Sequence, residues 1–384
     1  MNQYFADLHI HIGRTMFGKP VKITGSKTLT LTNILKSAKF PKGLQIVGVI
    51  DCQSPEVLVE MKQLIEDEVL VPLADGGFLY ENEVTFIPGV EIEVMGENHK
   101  GLFHVLAYFP TYETISQFSE WLQQRVTNIH LSTQRMYEDV KVLQEKVKSL
   151  NGLFIPAHVF TPFKSLYGKA VEQSLEEVLN PEKIDAVELG LSSDTDIALN
   201  IKELHHYTFL TNSDAHSLQK IAREYQKFEL EAPTFLNIGK ALRNEDGNKI
   251  VANYGLNPLL GKYYQSTCAK CLQKWEGPVC AHCGSEKFTK GVSVRIQELA
   301  NTKNIQTRPP YIHQIPLEFI PGLGKKTIGK LLDYFGTEMN ILHKATEEQL
   351  TAIVKPPLAK AIIASREGKL TVAAGGGGKY GKIK

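Results

Sequence analysis

In the first 230 or so residues, seven short apolar runs recur between helix-like stretches: Phe5–Ile12, Leu44–Asp51, Val84–Val94, Leu102–Phe109, Gly152–Val159, Ile184–Leu191 and Tyr207–His216. Continuous Val, Ile, Leu and Phe runs of this length, alternating with helical segments, imply parallel strands buried on both faces and covered by helices. Seven of them favour an α/β barrel, closed or nearly so. A chain of 384 residues has room for such a domain and for smaller modules behind it.

The polar residues within these runs carry the functional information. Asp51 ends the second run, Glu91 sits in the third, His158 closes the fifth, and Asp214 with His216 closes the last. The C-terminal end of parallel barrel strands is where chemistry is built, and so many metal-competent side chains from separate strands are hard to explain by packing. In the first run the two-residue strand period puts Asp7, His9 and His11 on one face, so two imidazoles one pleat apart can grip a single ion. The alternative for that pair is two core histidines satisfied by backbone carbonyls. Several ions held by His and carboxylate suit phosphoryl chemistry, because they neutralise charge on the attacked and leaving oxygens and lower the pKa of a water.

The DLHIH start, the IPGVEIE stretch, the His in FHVLAY, the PAHV segment and the SDAHS tail together resemble the ordered motifs of the PHP (polymerase and histidinol phosphatase) superfamily. The resemblance implies a distorted seven-stranded (β/α) barrel holding up to three zinc, manganese or iron ions. By motif it makes His9 and His11 the first metal-binding pair, Glu91 the bridging carboxylate, His104 and His158 the later histidines, and Asp214 and His216 the final pair. Glu91, His158 and Asp214 are the expected catalytic centre, and Asp51 is an expected ligand. The sequence departs from the superfamily at Ile50-Asp51-Cys52, where a TDH or SDH triplet is usual, and at Gly13-Arg14-Thr15, where a further histidine is usual. Two to three divalent ions (zinc, manganese or magnesium) are therefore expected, and Cys52 is either a thiolate ligand or a buried, inert thiol.

The back third is a different material. From residue 263 on there are 18 Lys and Arg against 9 Asp and Glu, so this part carries +9 while the first 262 residues carry −8. An acidic front and a basic back suit metal ions and a polyanion respectively. Cys268, Cys271, Cys280 and Cys283 form two CxxC pairs, the pattern of a closed tetrahedral structural zinc site in a reducing compartment. Further on, Pro321-Gly322-Leu323-Gly324-Lys325-Lys326 opens an amphipathic helix. This resembles the helix-hairpin-helix family, which implies that Gly322 and Gly324 let the backbone N–H groups approach one phosphate while Lys325, Lys326 and Lys330 add charge. A weaker second copy around Lys355-Pro356-Pro357 is either another such hairpin or a plain helical pair.

The order of parts, with Lys22–Leu29 following the first histidine pair, resembles the endonuclease Q family over nearly the whole chain. That resemblance implies hydrolysis, by metal-activated water, of the DNA phosphodiester 5′ of deaminated bases (uracil, hypoxanthine, xanthine) and of abasic sites. The alternatives are a PHP-type 3′–5′ exonuclease or small-molecule phosphatase, or a catalytically inactive DNA-binding protein. Arg14, Lys22, Lys27 and Arg223 are candidate phosphate contacts by charge and position, and solubilising side chains are the other reading of them. The expected domains are residues 1–232 (barrel), 233–266 (connecting segment), 267–292 (zinc module), 293–370 (helical DNA-binding region) and 371–384 (a disordered glycine-rich basic tail). No signal-peptide pattern and no run long enough to span a membrane is seen, so a cytoplasmic protein with no membrane partner is expected.

Overall fold

The computed structural model describes residues 1–97, 100–303, 307–375, 379 and 381–383. In chain order the front part contains β1 (Asn2–Ile10), α1 (Leu31–Ser37), β2 (Ile46–Val49), α2 (Pro55–Glu66), β3 (Leu70–Pro72), β4 (Phe78–Tyr80), β5 (Val84–Met95) and β6 (Leu102–Tyr108). It continues with α3 (Tyr112–Gln123), β7 (Arg135–Asp139), α4 (Val140–Ser149), β8 (Leu153–Pro156), β9 (Ala186–Glu188), α5 (Thr195–Ala198), β10 (Thr208–Leu210) and β11 (Tyr225–Leu230). Each of the seven apolar runs contains a strand: β1, β2, β5, β6, β8, β9 and β10. The helices start where the sequence supplies side-chain acceptors for free N–H groups, as Thr111 does for α3 and Asp139 for α4.

These strands follow one another in a circuit. β1 pairs in parallel with β2, and β2 with β5. β6 then runs antiparallel to both β5 and β8. From β8 the chain of bonds passes to β9 through Asp185 N to Phe154 O and Val159 N to Glu188 O, both 3.0 Å. β9 pairs in parallel with β10, and just beyond β10 Ala215 exchanges backbone bonds with His9 and His11 of the first run, both 3.1 Å. One apolar cluster takes a residue from every strand of the circuit (Leu8, Ile46, Ile87, Leu106, Ile155, Ala186 and Leu210) and fills its interior.

Two sequence expectations are corrected by this topology. The sheet is not all parallel: the six residues between β5 and β6 are too few for a crossover, and the two strands pair antiparallel. The segment 233–266 is more than a connection. It supplies α6 (Phe235–Arg243) and β12 (Lys249–Gly255), and β12 extends the same sheet by pairing with β11, itself antiparallel to β1.

The cysteine-rich segment then interrupts the sheet with β13 (Thr267–Cys268), β14 (Phe288–Thr289) and α7 (Val292–Leu299). The chain returns through β15 (Tyr311–His313), which pairs in parallel with β12. The helical region α8 (Lys325–Phe335), α9 (Glu338–His343), α10 (Glu347–Thr351) and α11 (Pro356–Arg366) packs against the start of the strand circuit. His343 stacks on Phe5 of β1 at 4.3 Å, and Lys42 donates to Glu338 at 3.0 Å. In the terminal segment 371–384, expected to lack structure, β16 (Val372–Ala373) pairs with β17 (Lys382–Ile383), backbone bonding having won over the glycine-rich composition there. Residues 376–378, 380 and 384 of that segment lie outside the described residues. Among the described residues no helix is long and apolar enough to cross a membrane.

Candidate metal centre

His9 and His11 sit at the end of β1 and just beyond it, buried and on one face as the strand period requires. Their Nδ1 atoms are engaged from behind: His9 by Glu188 Oε1 and His11 by Asp51 Oδ2, each at 2.9 Å. Both Nε2 atoms therefore face inward, and neither finds a hydrogen-bond partner among the described residues. His104 Nε2 is in the same condition. Buried imidazole nitrogens are seldom left orphaned, and in this case they converge on carboxylates.

Glu91 occupies the middle. Its Oε1 lies 3.0 Å from His104 Nδ1, 3.4 Å from His158 Nε2 and 3.6 Å from His9 Nε2. Its Oε2 lies 3.6 Å from His11 Nε2, 3.4 Å from Lys22 Nζ and 2.5 Å from Thr133 Oγ1. Asp214 Oδ1 stands 3.3 Å from His11 Nε2 and 3.6 Å from His9 Nε2. Two sets of donors are thus close enough for an ion each: His9, His11 and Asp214, and Glu91, His104 and His158. A carboxylate between them can touch both ions, and the donor chemistry suits borderline divalent metals.

The topology explains how His104 joins this group from near the beginning of its strand. Because β6 is antiparallel, its first half lies beside the last half of β5, with Glu93 directly opposite His104. The backbone is also bent at the centre: Asp51, His158 and Asp214 all adopt positive φ (74°, 32° and 45°). Such conformations cost free energy in non-glycine residues and cluster at functional sites.

The electrostatics follow the geometry. Burial opposes the charge on His9, but Glu188, Asp214 and Glu91 outweigh it and push the pKa up to about 10. Burial also opposes ionisation of Glu91, yet His104 and Lys22 hold its carboxyl well below the ordinary range. For Asp214 burial is again overcome, by His11, His9 and His216, with the same result. These carboxylates are charged at neutral pH and ready for cations.

Not every expected residue lies in the two donor sets. His216, at the rim, bonds through Nδ1 to Asp214 O at 3.0 Å. Asp51 stands behind His11, with Oδ2 also accepting from Ile12 N, so its visible contact orients a histidine. Cys52 is buried with its thiol donating to Val49 O, and burial pushes its pKa up. Lys22 is drawn into the centre, whereas Arg14 folds back onto Gly18 O and Lys27 is exposed. Arg223 reaches the centre's backbone, donating to Ser213 O at 2.7 Å and Asp214 O at 3.4 Å.

Sequence reasoning missed Glu188, Glu93, Ser132, Thr133 and the structural role of Asp7. Asp7 ties down the segment after β10 by accepting from Ser213 N (3.1 Å) and Ala222 N (2.9 Å). Glu188 could have been found, since it is a charged side chain at the end of an apolar run, the signal that picked out Asp51 and Asp214. Beside the centre opens a cavity of about 430 Å³ reached by His158, Asp214, His216, Arg223, Phe163 and Tyr263.

In the zinc module the four cysteine sulfurs come within 4.8 Å of one another, with Cys268–Cys283 and Cys271–Cys280 each at 3.5 Å. This fits four thiolates around one tetrahedral zinc. Farther on, Gly322 takes φ +84° and Gly324 caps α8, leaving Lys325, Lys326 and Lys330 exposed at its first turns. The element before this turn is a single 3-10 turn, Leu317–Phe319, whereas the weaker second copy joins two α-helices, α10 and α11, with Lys355 as cap.

No family model matches the chain. It is 52% identical over 387 residues, the full length of both chains, to the uncharacterised protein YqxK of Bacillus subtilis (strain 168). Two solved structures share its fold over the whole of this chain, each with a TM-score of 0.85. One is the lesion-specific endonuclease PfuEndoQ from Pyrococcus furiosus, 35% identical and covered over 95% of its length. The other is endonuclease Q in complex with a 27-mer duplex substrate with an abasic lesion at the active site, 34% identical and covered over 96%.

Proposed function

Because this chain belongs to the endonuclease Q family, we propose that it is a metal-dependent, lesion-specific DNA repair endonuclease that cuts the phosphodiester 5′ of deaminated bases (uracil, hypoxanthine, xanthine) and of abasic sites. The observation that carries this reading is the convergence of two buried, unpartnered imidazole nitrogens, Nε2 of His9 and of His11, on Glu91 and Asp214, with His104 and His158 against the other side of Glu91. Divalent ions, when bound, neutralise phosphoryl oxygens and acidify a water. The chain does the rest.

In this reading the circuit of β1, β2, β5, β6, β8, β9 and β10 is the distorted seven-stranded PHP barrel. His9, His11 and Asp214 would hold one ion and Glu91, His104 and His158 another, with Glu91 within reach of both sets. Asp51 and Glu188 fix the tautomers of His11 and His9. Lys22 and Arg223 stand where a scissile phosphate's free oxygens would lie. The adjoining cavity receives the extruded nucleotide, a step that weak pairing of a damaged base makes less costly. Gly322, Gly324, Lys325, Lys326 and Lys330 hold backbone phosphate at a distance, and four cysteines fold the zinc module. Acting on cellular DNA, the protein works in the cytoplasm.

The test is a nicking assay on an oligonucleotide duplex with one central uracil, internally labelled and blocked at both ends, with manganese, magnesium or zinc returned to chelated protein. A cut one bond 5′ of the uracil is expected. Cutting only when an end is free indicates an exonuclease, and binding without any cut indicates an inactive DNA-binding protein.

A further inference from the structure

The zinc module carries a surface that the reading above leaves unused. β13 is its middle strand: Thr267 pairs with Thr289 on one side and bridges to Lys274 on the other, where Trp275 N donates to Ser266 O at 3.0 Å. The flanking strands bring Trp275 and Phe288 together, with ring centroids 4.9 Å apart and planes within 18° of parallel. Phe288 is 45% exposed, and Leu272 and Val279 beside the cysteines are 53% and 46% exposed. Among the described residues none of these four joins the apolar clusters of the core. Trp275 is half-buried under this contact, and a zinc knuckle folded by its ion has no structural need to leave its stacking partner Phe288 open to water.

Lysines neighbour the pair along the chain, Lys274 before Trp275 and Lys287 before Phe288. Lys270, Lys274 and Lys287 are exposed; Lys274 pairs with Glu276, while Lys270 and Lys287 make no ion pair among the described residues. Flat aromatic faces interleaved with cations suit a ligand that is itself flat and anionic. Bases supply a π-face whatever their identity, and phosphates supply the charge. A buried protein partner would instead favour an interface core poor in lysine.

The module is also fixed next to the candidate metal centre. Tyr263 lines the cavity there, edge-on to the exposed Phe163 at 5.5 Å. β13 starts four positions after Tyr263, a reach of at most about 14 Å, and Val292 N donates back to Tyr263 O at 2.9 Å where the chain leaves the module. We infer that the Trp275–Phe288 face is a stacking platform for unpaired bases of a DNA strand opened at the centre. The inference rests on the reading of the protein as a DNA enzyme, and it adds a contact that does not depend on which lesion is cut.

The chain has two tryptophans, Trp121 and Trp275. In a full-length, zinc-loaded Trp121→Phe protein the remaining fluorescence reports on Trp275 alone. Titration with a single-stranded oligothymidine should quench it, with affinity that falls as salt rises. Adding Phe288→Ala should weaken binding about tenfold, and Lys270→Ala with Lys287→Ala should flatten the salt dependence, both variants retaining their zinc. If Phe288→Ala loses zinc, the lysine pair decides the matter by itself. Unchanged fluorescence, quenching indifferent to these substitutions, or salt-insensitive self-association through this face overturns the platform. A protein that cuts a lesion duplex yet shows no quenching loses only the platform, and one that is quenched yet never cuts loses only the endonuclease reading.

Discussion

His9 turns its Nδ1 onto Glu188 Oε1 at 2.9 Å, and this contact aims its Nε2 at the space shared by Glu91 and Asp214. Glu188 is itself held, accepting from Asn212 Nδ2 and from His158 N at 2.9 Å each, so the imidazole has a rigid anchor. Glu188→Gln keeps the shape and removes the charge. We expect about a 10–100-fold loss in affinity for the metal that His9 helps to hold, measured by competition with a chelator, with the circular dichroism spectrum unchanged.

Asp214 is the one carboxylate of the centre that is a third exposed, and its Oδ1 faces both histidines of the first run. Asp214→Asn should abolish nicking of a lesion duplex while leaving binding to that duplex, followed by gel shift, within about twofold, since phosphate contacts elsewhere supply most of the affinity.

The four cysteine sulfurs lie within 4.8 Å of one another, close enough to share one metal ion. Metal analysis of the purified protein should find more than the single ion they account for, and Cys280→Ser should remove one zinc per chain. Because so small a module has little core of its own, the variant should also lose the protease resistance of residues 267–292.

Lys325 and Lys326 stand exposed at the start of α8, beside the two glycines of the turn. If they meet DNA phosphate, replacing both with alanine should weaken binding uniformly across sequences and reduce the slope of log affinity against log salt by about 2. Equal slopes would return them to the role of solubilising charge.

Glu224 is buried, accepts from Leu256 N at 2.8 Å through Oε1, and leaves Oε2 without a partner among the described residues. Burial pushes its pKa from 4.5 up to about 8. The folded state thus binds this proton more tightly than the unfolded chain, so its contribution to stability is fully present below about pH 4.5 and is lost as pH rises through about 8. Thermal melts of Glu224→Gln should therefore decline less between pH 6 and 9 than those of the unaltered protein.

What could be read in advance was local. The period of β1 placed His9 and His11 on one face, and the ends of separate runs pointed to His158 and Asp214, with Glu91 inside the third run, because strand periodicity and strand ends are visible in a few consecutive residues. Asp51 was found by the same rule, but its orientation was not, since that depends on a positive φ and on where His11 stands. Ser132 and Thr133 lie in a stretch with no periodic signal and reach the centre only through tertiary packing. The turn from β5 to β6 was too short for a crossover, so the antiparallel placement of His104 was legible in the loop length and went unread. The pairing of β12 with β15 joins segments separated by the whole zinc module, and no local pattern announces it.

That pairing has a consequence for how the protein is made. Once β12 has paired with β11, its other edge is not covered until Tyr311–His313 has emerged from the ribosome, some fifty residues after β12 itself. A chain released early, or trimmed to its first 232 residues, would leave a raw strand edge in a crowded cell, where it invites pairing with its neighbours. A fragment that ends before β15 would therefore lack the strand that covers β12.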